Sequence, residues 1–339
     1  MKKIDIYNHI WPQTFYEKVM EISPNLTNMT KRVKAVPMIT DLDVRFKVMD
    51  QFEDYCQILS LASPPLEMLV PAQHVNDLAR LANDSMAELV NQYPDRFPGF
   101  IATLALTDPD GAVEEARRAM ADLGAVGVQG FTNVDGKCMD GPEYRPLFRL
   151  LTEFDRPIWI HPTRGPNFSD YLAEDHSKYE IWWAFGWPYE TSVFMARMVF
   201  SKLFDELPGL KIITHHGGGM IPYFEGRVGY GWDQLGARTS VVDYKALLKE
   251  LKRRPLDYFR DFIADTALFG STSATQCAID FFGIDNVVFA SDAPFDPEQG
   301  PLYIRETIKV IDGLNISDID RQKIYHDNAI RLCGLKKDV

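Results

Sequence analysis

An α/β fold, a (β/α)8 barrel, is what this sequence predicts, and three observations predict it. Apolar, β-branched runs recur near 3–8, 56–62, 99–105, 125–131, 157–161, 210–214, 260–265 and 286–290, with room for a helix between most of them. The stretches between them, among them 74–92, 110–122, 143–154, 190–206 and 273–282, read as helices. Four of the runs end in, or are followed by, a side chain able to bind metal or move a proton: His9, His161, the pair His215-His216, and Asp292. In a closed parallel barrel every strand ends on one face, so residues hundreds apart in sequence meet there.

The elements follow in order. The first run leads to His9, and residues 12–42 then separate it from a helix starting near Asp43. The helix at 110–122 opens with Asp110-Gly111, places Val113, Ala116, Met120 and Leu123 on one face, and is stopped by Gly124. Residues 162–187, rich in Trp, Phe, Tyr and Pro, follow the fifth run, and residues 221–256 extend the segment after the sixth. These three stretches exceed a minimal barrel. Because each follows a strand end, they are expected to crown the catalytic face as lids or subunit contacts. From Ser317 a capped helix is expected, then a short final one opened by Asp327-Asn328 and ended by Gly334. No internal repeat or interdomain linker is visible, so residues 1–339 read as one domain.

The chain has 339 residues, 46% of them hydrophobic, ample for a large core. Its formal net charge of −12 argues against nucleic acid and anionic membranes as partners, while leaving a locally basic pocket for a small anion possible. Four scattered cysteines without a CxxC pair fit free thiols in a reducing cytoplasm. Neither a signal peptide nor a membrane-spanning segment is expected.

His9, His161 and Asp292 form a nitrogen and oxygen donor set suited to Zn²⁺, Mn²⁺ or Fe²⁺, with positions left for water or substrate. Singly, each has a structural reading: a strand-end His as a hydrogen-bonding residue, Asp292 before Ala-Pro as a helix cap. Their joint placement favours a site. His215 and His216 precede three glycines, and strand alternation lets one of them face the pocket. A histidine there suits acid–base work near neutral pH. Arg164 and Arg227 are each able to grip a carboxylate and equally readable as surface residues. Trp182, Trp183, Phe185, Trp187 and Tyr189 form an aromatic cluster for a planar ligand or a subunit interface. His74, His176 and His326 have no motif around them and read as structural.

These motifs, in this order, resemble the amidohydrolase superfamily, and within it the branch of aminocarboxymuconate semialdehyde, resorcylate and carboxyvanillate decarboxylases. The resemblance spans nearly the whole chain. It rests on KIDIYNH (3–9), VRFKVMDQ (44–51), RPIWIHP (156–162), the run 188–232 around THHGGG, and NVVFASDAPF (286–295). It implies a TIM barrel of the metal-dependent hydrolase type, with insertions after strands 1, 5 and 6. It also implies one divalent metal, Zn or Mn, on His9, His161 and Asp292. His216 matches the histidine that activates water or helps proton transfer, and Asp292 also shuttles a proton. Arg227 matches an arginine that reaches the substrate carboxylate of a neighbouring subunit, which implies a homodimer.

Tyr7 departs from the pattern, since the family has His or Glu there. Three arrangements stay open: metal on the remaining ligands and water, Tyr7 as a phenolate ligand, or a metal-free site with Tyr7 contacting substrate as a hydrogen-bond donor or acid. The function implied is nonoxidative decarboxylation of a small aromatic or unsaturated carboxylic acid. The alternatives are a metal-dependent hydrolase of an amide, ester, lactone or C–C bond, and a binding protein on a decayed barrel.

Overall fold

The computed structural model describes residues 1–25 and 29–336. Residues 26–28 of the first insertion and 337–339 at the C-terminus, both within the predicted domain, lie outside the described residues. All eight predicted strands are present: β1 (Lys3–Ile10), β2 (Tyr55–Leu61), β3 (Gly99–Phe100), β4 (Val128–Phe131), β5 (Ile158–His161), β6 (Ile212–Thr214), β7 (Ile263–Asp265) and β8 (Val287–Val288). They pair in parallel as two runs, β1-β2-β3 and β4-β5-β6-β7-β8.

Backbone bonds join the two runs at both seams. Between β3 and β4, Val126 N donates to Phe100 O (2.9 Å) and Gln129 N to Ala102 O (2.8 Å). Between β8 and β1, Ile6 N donates to Phe289 O (3.0 Å), His9 N to Ala293 O (2.7 Å) and Asp292 N to Tyr7 O (3.1 Å). The ring is thereby closed, with His9 and Asp292 on opposite sides of one seam. Ile58, Trp159, Ile213, Ile263 and Val288, one from each of five strands, pack together in the barrel, and the last helix adds Ala329, Leu332 and Cys333.

The third strand is shorter than the predicted 99–105. Thr103 bonds the side chain of Asn83 instead of a neighbouring strand, donating its N–H to Oδ1 (2.8 Å) while its carbonyl accepts from Nδ2 (3.0 Å). Helix bounds elsewhere follow their caps. Asp41 caps Leu42–Met49, Asp108 caps Pro109–Ala121, Ser271 caps Thr272–Phe282 and Ser317 caps Asp318–Gln322. The predicted helix 190–206 is instead Gly186–Phe200 followed by Leu203–Glu206, broken where Lys202 turns left-handed at φ 62°. The last helix, Asn328–Cys333, ends on left-handed Gly334.

Arg45, from the VRFKVMDQ run, is fully buried and lies against β1 and β2. It donates to Asn8 Oδ1 (3.1 Å), to Gln57 Oε1 (2.7 Å) and to the carbonyl of His9. Burial lowers its pKa to about 10, so it stays charged at neutral pH. Arg45→Ala strands three buried acceptors below His9. It is expected to cost roughly 3–5 kcal/mol of stability, read by denaturant unfolding. A loss under about 1 kcal/mol would contradict that assignment.

Glu67, on the short helix Leu66–Leu69 after β2, has Oε1 buried without a partner among the described residues, and burial raises its pKa from 4.5 to about 7. Between those two values the folded chain holds a proton that the unfolded chain has released, so Glu67 makes stability fall as pH rises through this window. Glu67→Gln is expected to flatten that part of the stability profile, measured by unfolding at a series of pH values.

Candidate metal centre and active site

Strand register builds the site. On β5, Trp159 and His161 share one face of the sheet, and Trp159 pairs with Ile213 on β6. The next inward position on β6 is His215, so it stands beside His161. His9 enters from the end of β1 and Asp292 from beyond β8, across the seam. All four are buried, at 0%, 2%, 1% and 6% exposure for His9, His161, His215 and Asp292. One donor atom from each lies within 4.8 Å of every other.

The hydrogen bonds orient the rings. His9 Nε2 and His215 Nε2 meet Asp292 Oδ1 at 2.9 and 3.2 Å. The opposite ring nitrogens are each held from behind. His161 Nδ1 donates to Pro162 O (2.6 Å), with Ser63 Oγ 3.2 Å away, and His215 Nδ1 bonds Asp265. His9 Nδ1 lies 3.4 Å from Ser60 Oγ, whose own proton goes to Asn8 O. A proton fixed on Nδ1 leaves the Nε2 lone pair for a cation, the usual support of a metal-binding histidine. Asp265 is itself fixed, its Oδ1 accepting from Gly217 N (3.2 Å) and Ala267 N (3.1 Å).

The electrostatics follow from burial and this carboxylate pair. Burial pushes His161 well below the ordinary imidazole value and lowers His9. Burial acts on His215 in the same direction, but Asp265 and Asp292 outweigh it and hold its pKa at about 9. Burial would raise Asp292, yet the hydrogen bonds from His215 and His9 keep it well below the usual carboxylate range.

Three imidazole nitrogens and a carboxylate oxygen suit a divalent ion such as Zn²⁺ or Mn²⁺. Four ligands about 2.0–2.2 Å from one ion lie roughly 3.3–3.6 Å apart in a tetrahedral site, so donors already within 4.8 Å of one another reach one ion by local side-chain adjustment. The residues present fit one metal.

The structure brings His9, His161 and Asp292 together, as the strand ends predicted, and adds His215. His216, assigned the proton-transfer role from its place before the glycines, lies beside the cluster and outside it. It begins the glycine turn at φ 58°, which swings its ring so that Nδ1 meets Ala267 O at 2.8 Å. Its ring stacks near Trp187 (6.5 Å, 23°), and its Nε2 makes no hydrogen bond among the described residues. Burial, followed by the neighbouring His215, lowers its pKa to about 4. His215→Ala is therefore expected to weaken metal binding by about 10- to 100-fold or more, and His216→Ala far less. Titration of the metal-free variants with Mn²⁺ by calorimetry compares the two directly.

The other predicted residues are placed differently. Tyr7 is 1% exposed and lies one step below His9 on β1, its ring edge-on to His215 (4.2 Å) and 5.1 Å from His9. Its hydroxyl has no partner among the described residues, and burial, then Asp292 and Asp265, raises its pKa well above 10. It does not line the cavity. Arg164 pairs with Glu190 (2.9 Å) and covers the ring of Phe168 (4.5 Å). Arg227 is exposed on the segment after β6, away from the cavity wall. Sequence reading passed over Asp265 and Ser63. Asp265 carried the same signal as the others, a polar side chain at a strand end, whereas Ser63 had none.

A cavity of about 720 Å³ opens above the cluster. Ser63, His161 and Asp292 form its floor, Trp182, Trp183, Trp187, Phe269, Phe295 and Tyr303 its walls, and Lys31, Arg32 and Glu180 also line it. The aromatic segment after β5 thus reaches the cavity, although Phe185 and Tyr189 are exposed at 73% and 53%. No helix among the described residues is long and apolar enough to cross a membrane.

Comparison with known proteins agrees with this geometry. The model of the amidohydrolase family matches residues 4–335. The chain is 36% identical over 313 residues to a gamma-resorcylate decarboxylase of Rhodococcus jostii (strain RHA1), covering 87% of this chain and 88% of the relative. Its fold is similar to that of 2,6-dihydroxybenzoate decarboxylase from Rhizobium, with TM-score 0.78, 30% identity, and 98% and 99% of the two chains covered. It is also similar to a dihydroxybenzoic acid decarboxylase from Polaromonas sp. JS666, solved with bound manganese and the inhibitor 2-nitroresorcinol, with TM-score 0.77, 26% identity, and 98% and 97% covered.

Proposed function

The chain belongs to the amidohydrolase family, and on that premise we propose that it is a metal-dependent nonoxidative decarboxylase of a small aromatic carboxylic acid. The observation that carries the reading is the four-donor cluster at the floor of an aromatic-walled cavity. His9, His161, His215 and Asp292 would hold the ion, Zn or Mn, which would supply positive charge for the substrate's carboxylate or a neighbouring oxygen.

The chain's own residues do the rest. His9, His161 and His215 are locked by their Nδ1 partners, so their Nε2 atoms face inward without rearrangement. The Trp, Phe and Tyr walls hold a planar ring by stacking and keep water from the carbon that loses CO₂. That carbon must gain a proton. Asp292, at the cavity floor, and His216, beside the cluster, are the two groups placed to relay it; both are held in their proton-free forms near neutral pH, so the proton is first taken from water or from a hydroxyl of the substrate. Tyr7 acts from below as a neutral phenol packed against the ligand rings, and the four-donor set is complete without it. Arg227 acts across a homodimer interface, which also covers the exposed aromatic residues after β5. One barrel domain, residues 1–339, carries the activity in the cytoplasm.

The test is product analysis on metal-loaded protein supplied with hydroxylated benzoic acids in H₂¹⁸O. Release of CO₂ with no ¹⁸O in the aromatic product supports decarboxylation. Incorporation of ¹⁸O into the product would replace this reading with a hydrolase.

A further inference from the structure

A second cavity, of about 590 Å³, lies at the opposite end of the barrel from the metal cluster, where the strands begin. Its floor is apolar: Leu210 just before β6, Ile263 at the first position of β7, Leu332 on the last helix and Phe204 on the helix Leu203–Glu206, each at most 7% exposed. His215 follows the other end of β6 and Asp265 is the last residue of β7. The two cavities have no lining residue in common.

Four cations line this cavity, Lys211, Lys252, Arg253 and Arg331, against two carboxylates, Asp205 and Asp261. Most of these charges are already engaged. Lys211 pairs with Asp155 (2.7 Å) and Arg253 with Asp261. Asp205 accepts from the Tyr258 hydroxyl (2.5 Å) and from the backbone N–H of Lys252 (3.3 Å). Lys252 and Arg331 differ, because among the described residues each bonds only uncharged acceptors. Lys252 Nζ donates to the carbonyl of Asp205 (3.0 Å), and Arg331 Nη2 to the carbonyl of Asp285 and to Asn328 Oδ1 (3.4 Å). The carboxylate of Asp285 is itself held by Lys323 (2.8 Å). These bonds orient the two heads without neutralising them, and each keeps further N–H donors. In a chain of net charge −12, two uncompensated cations beside an apolar floor make a local positive field.

We propose that this cavity is a second ligand site, which binds a phosphate monoester with a small apolar body. The phosphoryl group bridges Lys252 and Arg331, and the apolar body lies on Phe204, Leu210, Ile263 and Leu332. A phosphate monoester carries close to two negative charges at neutral pH and offers three acceptor oxygens, matching two cations with several donors each. The guanidinium of Arg331 grips two of those oxygens at once, while Lys252 acts as a point charge. The site does not depend on the decarboxylase reading.

Phenyl phosphate is the probe, titrated by calorimetry into the Mn²⁺-loaded full chain. Because phosphate also seeks a divalent ion, the titration is repeated in His161→Ala, and one equivalent is expected to bind there with unchanged affinity. Lys252→Ala and Arg331→Ala are each expected to weaken that binding about tenfold, Arg331→Lys less, and added salt to weaken it further. Inorganic phosphate, which lacks the apolar body, should bind several-fold less tightly. Thermal unfolding checks that the variants are folded, and their CO₂ release should match the wild type. Absence of binding at millimolar phenyl phosphate, binding lost in His161→Ala, or an affinity unchanged in the Lys252→Ala, Arg331→Ala double variant overturns the site. Inorganic phosphate bound as tightly as phenyl phosphate overturns the ligand class.

Discussion

Replacing His161 with alanine is expected to remove the metal. His161 supplies one of four converging donors, is 2% exposed, and has its Nδ1 occupied by Pro162 O, which leaves Nε2 as its donor to a metal. Elemental analysis should fall from about one equivalent per chain in the wild type to below about a tenth in the variant. Decarboxylation should fall by about 10³-fold or more with it. A second readout follows from linkage: an ion at about 1,000 times its Kd stabilises the folded state by about 4 kcal/mol, a gain the variant lacks. Thermal unfolding with and without added Mn²⁺ measures it. A His161→Ala protein that keeps one equivalent of metal would remove this cluster as the metal site.

Asp292→Asn should separate metal binding from proton movement. Asp292 has a left-handed backbone at φ 63°, a conformation that asparagine tolerates well, so the exchange preserves shape and local fold. It removes the charge that His9 and His215 both meet at Oδ1, and it removes the carboxylate able to carry a proton. With metal supplied in excess, kcat is expected to drop about 10²- to 10⁴-fold while an unreactive substrate analogue still binds. Steady-state kinetics and calorimetry on the same preparation decide it. Unchanged kcat would transfer the proton step to His216 alone.

Much of this was legible because strand ends are legible. The eight apolar runs and the chemistry-bearing residues after four of them located β1 to β8 and three of the four donors. What the sequence left open was local geometry. Two adjacent histidines cannot be ranked from their order alone. Choosing His215 required the register that sets it beside His161, together with the knowledge that His216 already lies in the glycine turn. Likewise, Arg164 looked available for a substrate until Glu190 was seen to hold it, while Arg32 stood in a segment without a motif. Ion pairs between distant segments leave no periodic trace. The shortening of the third strand was equally hidden, since it depends on a single side chain, Asn83, from a neighbouring helix.

The seam between β8 and β1 ties the site to the history of the chain. His9 and Asp292 are 283 positions apart, and the two strands flanking them are the first and last of the ring. Asp292 is synthesised 283 residues after His9, so the donor set is complete only once that length of chain has been made. An ion held by both ends then acts as a clasp on a loop of that length, whose closure alone costs on the order of 5 kcal/mol in chain entropy. The backbone bonds at the seam already close the ring, an ion held there would reinforce that closure, and fragments lacking Asp292 would be left without one of the four donors.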